Sequence, residues 1–113
     1  MPHCIIEYSA TLERQLSPAG LVAAVHGGAE DSGLFGAADI KTRAVGYEHH
    51  QAGSHKRDFI HVTLKILSGR SQEQRAALSA SVLDALQSLG LSDISLTVDV
   101  VEMERESYAK WLG

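Results

Sequence analysis

The sequence predicts an α+β fold in which two βαβ units form one four-stranded sheet with two helices on one face. Three observations predict it. Short apolar stretches and two capped helical stretches follow one another as strand, helix, strand, then strand, helix, strand. A faint internal repeat sets Pro2-His3-Cys4-Ile5-Ile6-Glu7-Tyr8 against Ile60-His61-Val62-Thr63-Leu64-Lys65-Ile66, and each copy leads to a capped helix and then a strand. The length of 113 residues suits one domain, read as residues 2–113.

The elements follow in order. Cys4, Ile5 and Ile6 give Pro2–Tyr8 the apolar run of a buried strand. Ser17-Pro18 reads as a helix start, because serine caps free amides and proline at the first helical position has no N–H to leave unpaired. Leu21, Val22 and Val25 supply that helix's apolar face, and Gly27-Gly28 is expected to end it. The segment 29–38 reads as a loop with room for one helical turn. Ile40–Tyr47 reads as a second strand, 49–57 as a polar turn around Gly53-Ser54, and Asp58–Leu67 as the clearest strand. Ser71–Leu89 is the clearest helix: Ser71 and Gln74 have capping-box spacing, and Leu78, Val82, Leu86 and Leu89 line one stripe, which Leu83 and Ala85 widen. Gly90 is its natural stop. Ile94–Met103 alternates Ile94, Leu96, Val98 and Val100 with polar neighbours, as a half-buried strand does. A short tail carries Tyr108 and Trp111.

Two helices cover one face of a four-stranded sheet and leave the other to something else. No further long helix is available, so a second copy of the chain is the expected cover. A chain this small also buries a modest share of its surface alone.

Composition narrows the function. Hydrophobic residues make up 44% of the chain, enough for a core, and the net charge of −4 argues against a general nucleic-acid binder. The single cysteine, Cys4, allows no internal disulfide and suits a reducing compartment. Its apolar neighbours read as those of an inert buried thiol. The first residues lack the basic and long apolar parts of a secretory signal, and no apolar run approaches the roughly 20 residues that cross a bilayer. A cytoplasmic protein without a membrane partner is expected. The six histidines show no zinc-site spacing. His49, His50 and His55 fall in the polar turn, whereas His3 and His61 fall in apolar strands and read as packed, hydrogen-bonded side chains. No metal is expected.

Proline directly after Met1, a βαβ doublet of this length and a Gly-Arg-Ser before the second helix together resemble the tautomerase superfamily. Within it, Phe59-Ile60-His61-Val62-Thr63-Leu64-Lys65-Ile66 with Ser68-Gly69-Arg70-Ser71 resembles the 5-carboxymethyl-2-hydroxymuconate isomerases. So do Pro2–Tyr8, Ser32-Gly33-Leu34-Phe35 and Asp39-Ile40-Lys41-Thr42-Arg43-Ala44. The resemblance runs from Pro2 to about Tyr108. It implies a tautomerase-like fold, a homotrimer, no metal and no organic cofactor. It also implies an active site around Pro2 at a subunit interface and an anionic small-molecule substrate, an unsaturated 2-hydroxy or 2-oxo acid of aromatic-acid breakdown.

Under this resemblance Pro2 is the catalytic residue. Once Met1 is removed it carries a free secondary amine. An α-amine titrates near 7.7–8.0, and nearby cations and partial burial lower that value toward the neutral pH at which a base works best. The plainer reading makes Pro2 only the start of a strand. Arg70, between Gly69 and the helix cap Ser71, is expected to grip a substrate carboxylate, its plainer role being that of a solvated loop residue. Lys41 and Arg43 stand two apart on a strand and share a face. They are expected to bind a second carboxylate and to polarise a 2-oxo group as charge builds in a dienolate. The family often has an arginine where Lys41 stands, so the planar fork is lost there while the charge is kept. Tyr108 and Trp111 are read as packing residues. Rival readings are another activity of the superfamily (4-oxalocrotonate-type or phenylpyruvate tautomerase, dehalogenase or decarboxylase) and a trimeric binding module without turnover.

Overall fold

The computed structural model describes residues 1–54 and 57–113. The expected polar turn over 49–57 is therefore described only in part, and His55 lies outside the described residues together with Lys56. The chain forms β1 (His3–Ser9), α1 (Pro18–Asp31), β2 (Lys41–Tyr47), β3 (Asp58–Leu67), α2 (Gln72–Gln87) and β4 (Ile94–Met103). The sheet order is β2-β1-β3-β4. Each βαβ unit pairs its strands in parallel, and the two units join through antiparallel β1 and β3, with Ile6 opposite Val62.

The alternation of side chains along a strand decides what is buried. Cys4, Ile6 and Tyr8 of β1 and Ile60, Val62, Leu64 and Ile66 of β3 all point to the helix-covered face and are buried. Leu21 and Val25 of α1 and Leu78, Val82 and Leu86 of α2 complete that core. Each such side chain contributes about 1.5–3 kcal/mol on leaving water. The repeat alignment preserves this parity, because both copies bury their even-numbered residues.

Helix α2 follows the expected design. Ser71 Oγ accepts from Gln74 N, and the Gln74 side chain accepts from Ser71 N, closing the capping box. Helix α1 departs from it. Ser17 caps the start as expected, but the helix runs through Gly27-Gly28 to Asp31, and the left-handed residue lies beyond it at Gly33 (φ 75°). A glycine inside a helix costs about 1 kcal/mol relative to alanine. Here Gly28 is buried at the crossing with α2. A Cβ on it would stand 3.0 Å from Ala85 Cβ and 3.1 Å from Val82 Cα. Ser81 Oγ donates to Gly28 O at 2.7 Å across the same crossing. The glycine serves close helix packing, and the packing carries the helix past it.

Among the described residues, no helix lies on the opposite sheet face. That face displays His3, Ile5 and Glu7 of β1, Lys41, Arg43, Val45 and Tyr47 of β2, and the odd-numbered residues of β3 with their β4 partners. Val45, Tyr47 and Val101 are large apolar side chains exposed there. A dimple of about 140 Å³ lies beside Ile5, Arg43 and Val45. Among the described residues, no helix is long and apolar enough to cross a membrane.

Candidate active site

Pro2 is fully buried at the head of β1, and its carbonyl accepts from Lys41 N at 3.0 Å, which extends the β1–β2 pairing by one residue. Met1 is attached, so the Pro2 nitrogen is an amide without basicity and the free amine belongs to Met1. That amine samples the field at the chain terminus. Burial lowers its pKa first; Asp39 raises it, and Arg70, Lys110 and Lys41 lower it. The three cations outnumber the one carboxylate. An amine on Pro2, one residue further in, would stand among the same groups.

Arg70 is held by two loops. Gly69 adopts φ 128°, a conformation open to glycine, and Arg105 fixes the turn by donating from Nε and Nη2 to Ser68 O at 3.2 and 2.8 Å. Arg70 Nη2 then donates to Leu34 O at 3.0 Å, and its guanidinium lies 5.0 Å from the centre of the Phe35 ring. Such a stacked cation contributes about 0.5–2 kcal/mol. The segments 32–35 and 68–71, far apart in sequence, thus meet at one arginine.

Lys41 and Arg43 share the open face but do different things. Lys41 Nζ reaches Met1 Sδ at 3.7 Å. Arg43 Nη1 donates to His3 Nδ1 at 3.1 Å. An arginine cannot accept, so His3 Nδ1 carries no proton and Nε2–H donates to Tyr108 Oη at 2.9 Å. Burial first, then Arg43 and Lys41, lowers the His3 pKa. Arg43 acts directly on His3, whereas Lys41 acts on the chain terminus. The Tyr108 and His3 rings also meet edge to face, their centres 6.0 Å apart. His61 lies between strands, its Nδ1 2.7 Å from Thr97 Oγ1. Burial raises the pKa of the Cys4 thiol, so it stays protonated in the core.

A sequence model of the 5-carboxymethyl-2-hydroxymuconate isomerase family matches residues 2–110. The chain belongs to this family. The 5-carboxymethyl-2-hydroxymuconate Δ-isomerase of Escherichia coli is 35% identical over 77 residues, which cover 66% of this chain. The chain spans 61% of the length of that curated relative. A solved 5-carboxymethyl-2-hydroxymuconate δ-isomerase superposes with a TM-score of 0.83 at 19% identity, over 100% of this chain and 89% of the other. A fused 4-OT symmetric trimer superposes with a TM-score of 0.74 at 14% identity, over 92% of this chain and 88% of its own. At such identities the two structures establish a shared fold, in agreement with the family match.

Three features of this family member's terminus escape a linear reading. Asp39 belongs to a segment that the sequence singles out, yet no pattern marks it as a neighbour of the terminal amine. Lys110 lies in a tail without periodicity, and it reaches Met1 Sδ at 3.2 Å because the tail folds back beside β1. Tyr108 packs as expected and also bonds to His3, next to Pro2. Among the described residues, no group of three His, Cys, Asp or Glu side chains is arranged to hold a metal ion.

A larger cleft lies elsewhere. It measures about 370 Å³ and lies at the far end of β1, lined by Thr11, Arg14, Tyr47, Glu48, His50 and Asp58 with Ala10.

Proposed function

We propose that this protein is an isomerase that moves a proton within an unsaturated 2-hydroxy or 2-oxo acid bearing two or three carboxylates, of the 5-carboxymethyl-2-hydroxymuconate type. The observation that carries this reading is the gathering of Arg70, Lys41 and Lys110 around the terminal amine of a chain that belongs to this family.

Removal of Met1 turns the Pro2 nitrogen into a secondary amine. Its lone pair takes the hydroxyl proton of the substrate. The oxygen's electrons form the carbonyl, the conjugated double bonds shift, and the protonated proline returns the proton to a carbon further along. Burial and the surrounding cations favour the neutral amine, and the cations stabilise the dienolate. Arg70 grips a carboxylate. Lys41 binds a second carboxylate and offsets the charge that builds on the oxygen beside it. Arg43, one step out on the same face, serves the part of the substrate that projects over the sheet. No cofactor takes part in these steps.

The same reading includes a homotrimer in the cytoplasm acting in aromatic-compound breakdown. The uncovered sheet face with exposed Val45, Tyr47 and Val101, and the trimeric assembly of a relative of the same fold, support the assembly. Intact-mass measurement should find the chain short of one methionine. Light scattering should give three chain masses, and ultraviolet assays should show turnover of a 2-hydroxydienoate dicarboxylate or tricarboxylate. A mature chain that uniformly keeps Met1 excludes the proline base.

A further inference from the structure

Two ammonium groups converge on one uncharged atom. Lys110 Nζ lies 3.2 Å and Lys41 Nζ 3.7 Å from Met1 Sδ. A thioether is a weak acceptor and offers no charge to offset two cations. Like charges held this close gain from an anion placed between them. A carboxylate suits the position, because each of its oxygens can accept from one ammonium at about 2.7–2.9 Å. The sulfur atom thus stands where an anionic oxygen would bind, and loss of Met1 opens that place.

The tail that carries Lys110 is tied down. Tyr108, two residues earlier, bonds to His3 Nε2, and Arg43 donates to the other nitrogen of the same ring. This chain of contacts fixes the tail against the open face beside Pro2. Beyond it, Leu112 and Trp111 are largely exposed, so Trp111 does not pack on the chain as its sequence reading expected, and the tie nearest Lys110 is the one at Tyr108.

We propose that in the processed protein Lys110 and Lys41 together hold one substrate carboxylate in the place of the Met1 sulfur, and that Tyr108 positions Lys110 for this through His3. The inference rests on the reading of Pro2 as the freed terminus. It adds a substrate-binding residue from the tail, and it makes the tail part of the site.

The test measures binding apart from turnover. Processed protein is titrated with glutarate, a non-reacting dicarboxylate, by calorimetry, and KM and kcat are measured on a 2-hydroxydienoate dicarboxylate. Lys110→Ala should weaken glutarate about tenfold and raise KM by a similar factor, the value of one charge-assisted hydrogen bond. Lys110→Arg should recover most of the loss. Tyr108→Phe should raise KM about threefold with kcat held, and the pH–rate profile of Lys110→Ala should move to higher pH because a cation has left the amine. Glutarate binding that stays within twofold in Lys110→Ala, or no glutarate binding by the unaltered protein at millimolar concentration, overturns the proposal. Glutarate binding that needs Lys110 in a protein without isomerase turnover keeps the anion site and removes the proton-transfer reading. Turnover with an unchanged KM in Lys110→Ala does the reverse.

Discussion

At its first residues β1 delivers Pro2 into a field of cations; at its last residues it delivers Ser9 into a cluster of hydroxyls around one carboxylate. The far end is closed by hydrogen bonds. Ser9 is fully buried, its hydroxyl donates to Asp58 Oδ1 at 2.8 Å and accepts from Phe59 N at 3.1 Å, and Thr11 donates to the same carboxylate oxygen at 2.6 Å. The Asp58 carboxylate there is met by two hydroxyls of the chain, and a cleft of about 370 Å³ lies alongside. The near end gathers three cations, Arg70, Lys110 and Lys41, around the terminal amine. Arg70 uses one donor on a backbone oxygen, and two lysines meet at a thioether. Cavity size points to one end of the strand and chemistry to the other. Under the proposed function the cations are the better guide, because a site that acts on anions needs positive groups left free to meet them.

Mutations at the two ends test this contrast. The largest effect is expected at Pro2. In processed protein, Pro2→Ala should lower kcat by about 10²-fold or more, the scale of a positioned base. Near-normal turnover by that variant would erase the distinction between the ends. Arg70→Ala comes next. It should raise KM about 10- to 100-fold, since a bond to a charged group contributes about 1.5–3 kcal/mol. It should also shift the pH–rate profile upward, because a neighbouring positive charge would be gone. An unchanged KM and pH profile would leave Arg70 as a structural brace between two loops.

The far end should respond in stability and not in rate. Ser9→Ala removes the partner of Phe59 N–H and one donor to Asp58, which should cost about 1–3 kcal/mol in denaturant unfolding. Its kcat and KM should stay within about twofold of normal at temperatures where the variant is folded, a smaller kinetic change than any expected at the near end. A large loss of turnover in folded Ser9→Ala would assign chemistry to the wrong end of β1.

The smallest effect concerns the His3 tie. Folding lowers the His3 pKa below its ordinary value of 6.5. The neutral ring is the form that Arg43 and Tyr108 hold. Its contribution to stability is therefore complete above pH 6.5 and declines as pH falls from there through the lower folded value. Melting temperatures of the natural chain and of His3→Asn should converge between pH 7.5 and pH 5. A gap that stays constant over that range would mean that the tie does not depend on the ring's charge.

Much of the fold was legible in the sequence because its signals are local. The capping box at Ser71 and Gln74, Ser17-Pro18 and the alternation in Asp58–Leu67 each lie within a few residues and need no distant partner. Gly27-Gly28 misled for the converse reason. A glycine pair reads as a stop, and only the approach of Val82 and Ala85 shows why the helix continues through it. The site divides in the same way. Lys41, Arg43 and Arg70 stand out as cations beside strands and turns, but the separate dealings of Lys41 with the terminus and of Arg43 with His3 are not visible in their spacing. Asp39 and Lys110 had no signal of their own.

Residue order alone sets the two βαβ units, their buried faces and a proline at the head of a buried strand. Periodicity and capping are short-range, so the chain carries them in its order. Only the tertiary structure decided that α1 crosses α2 at Gly28, that Phe35 and Leu34 hold Arg70, and that the tail brings Lys110 to the same point as Lys41. These contacts join residues tens of positions apart, and the field at the chain terminus is a sum over charges whose distances the folded backbone alone sets.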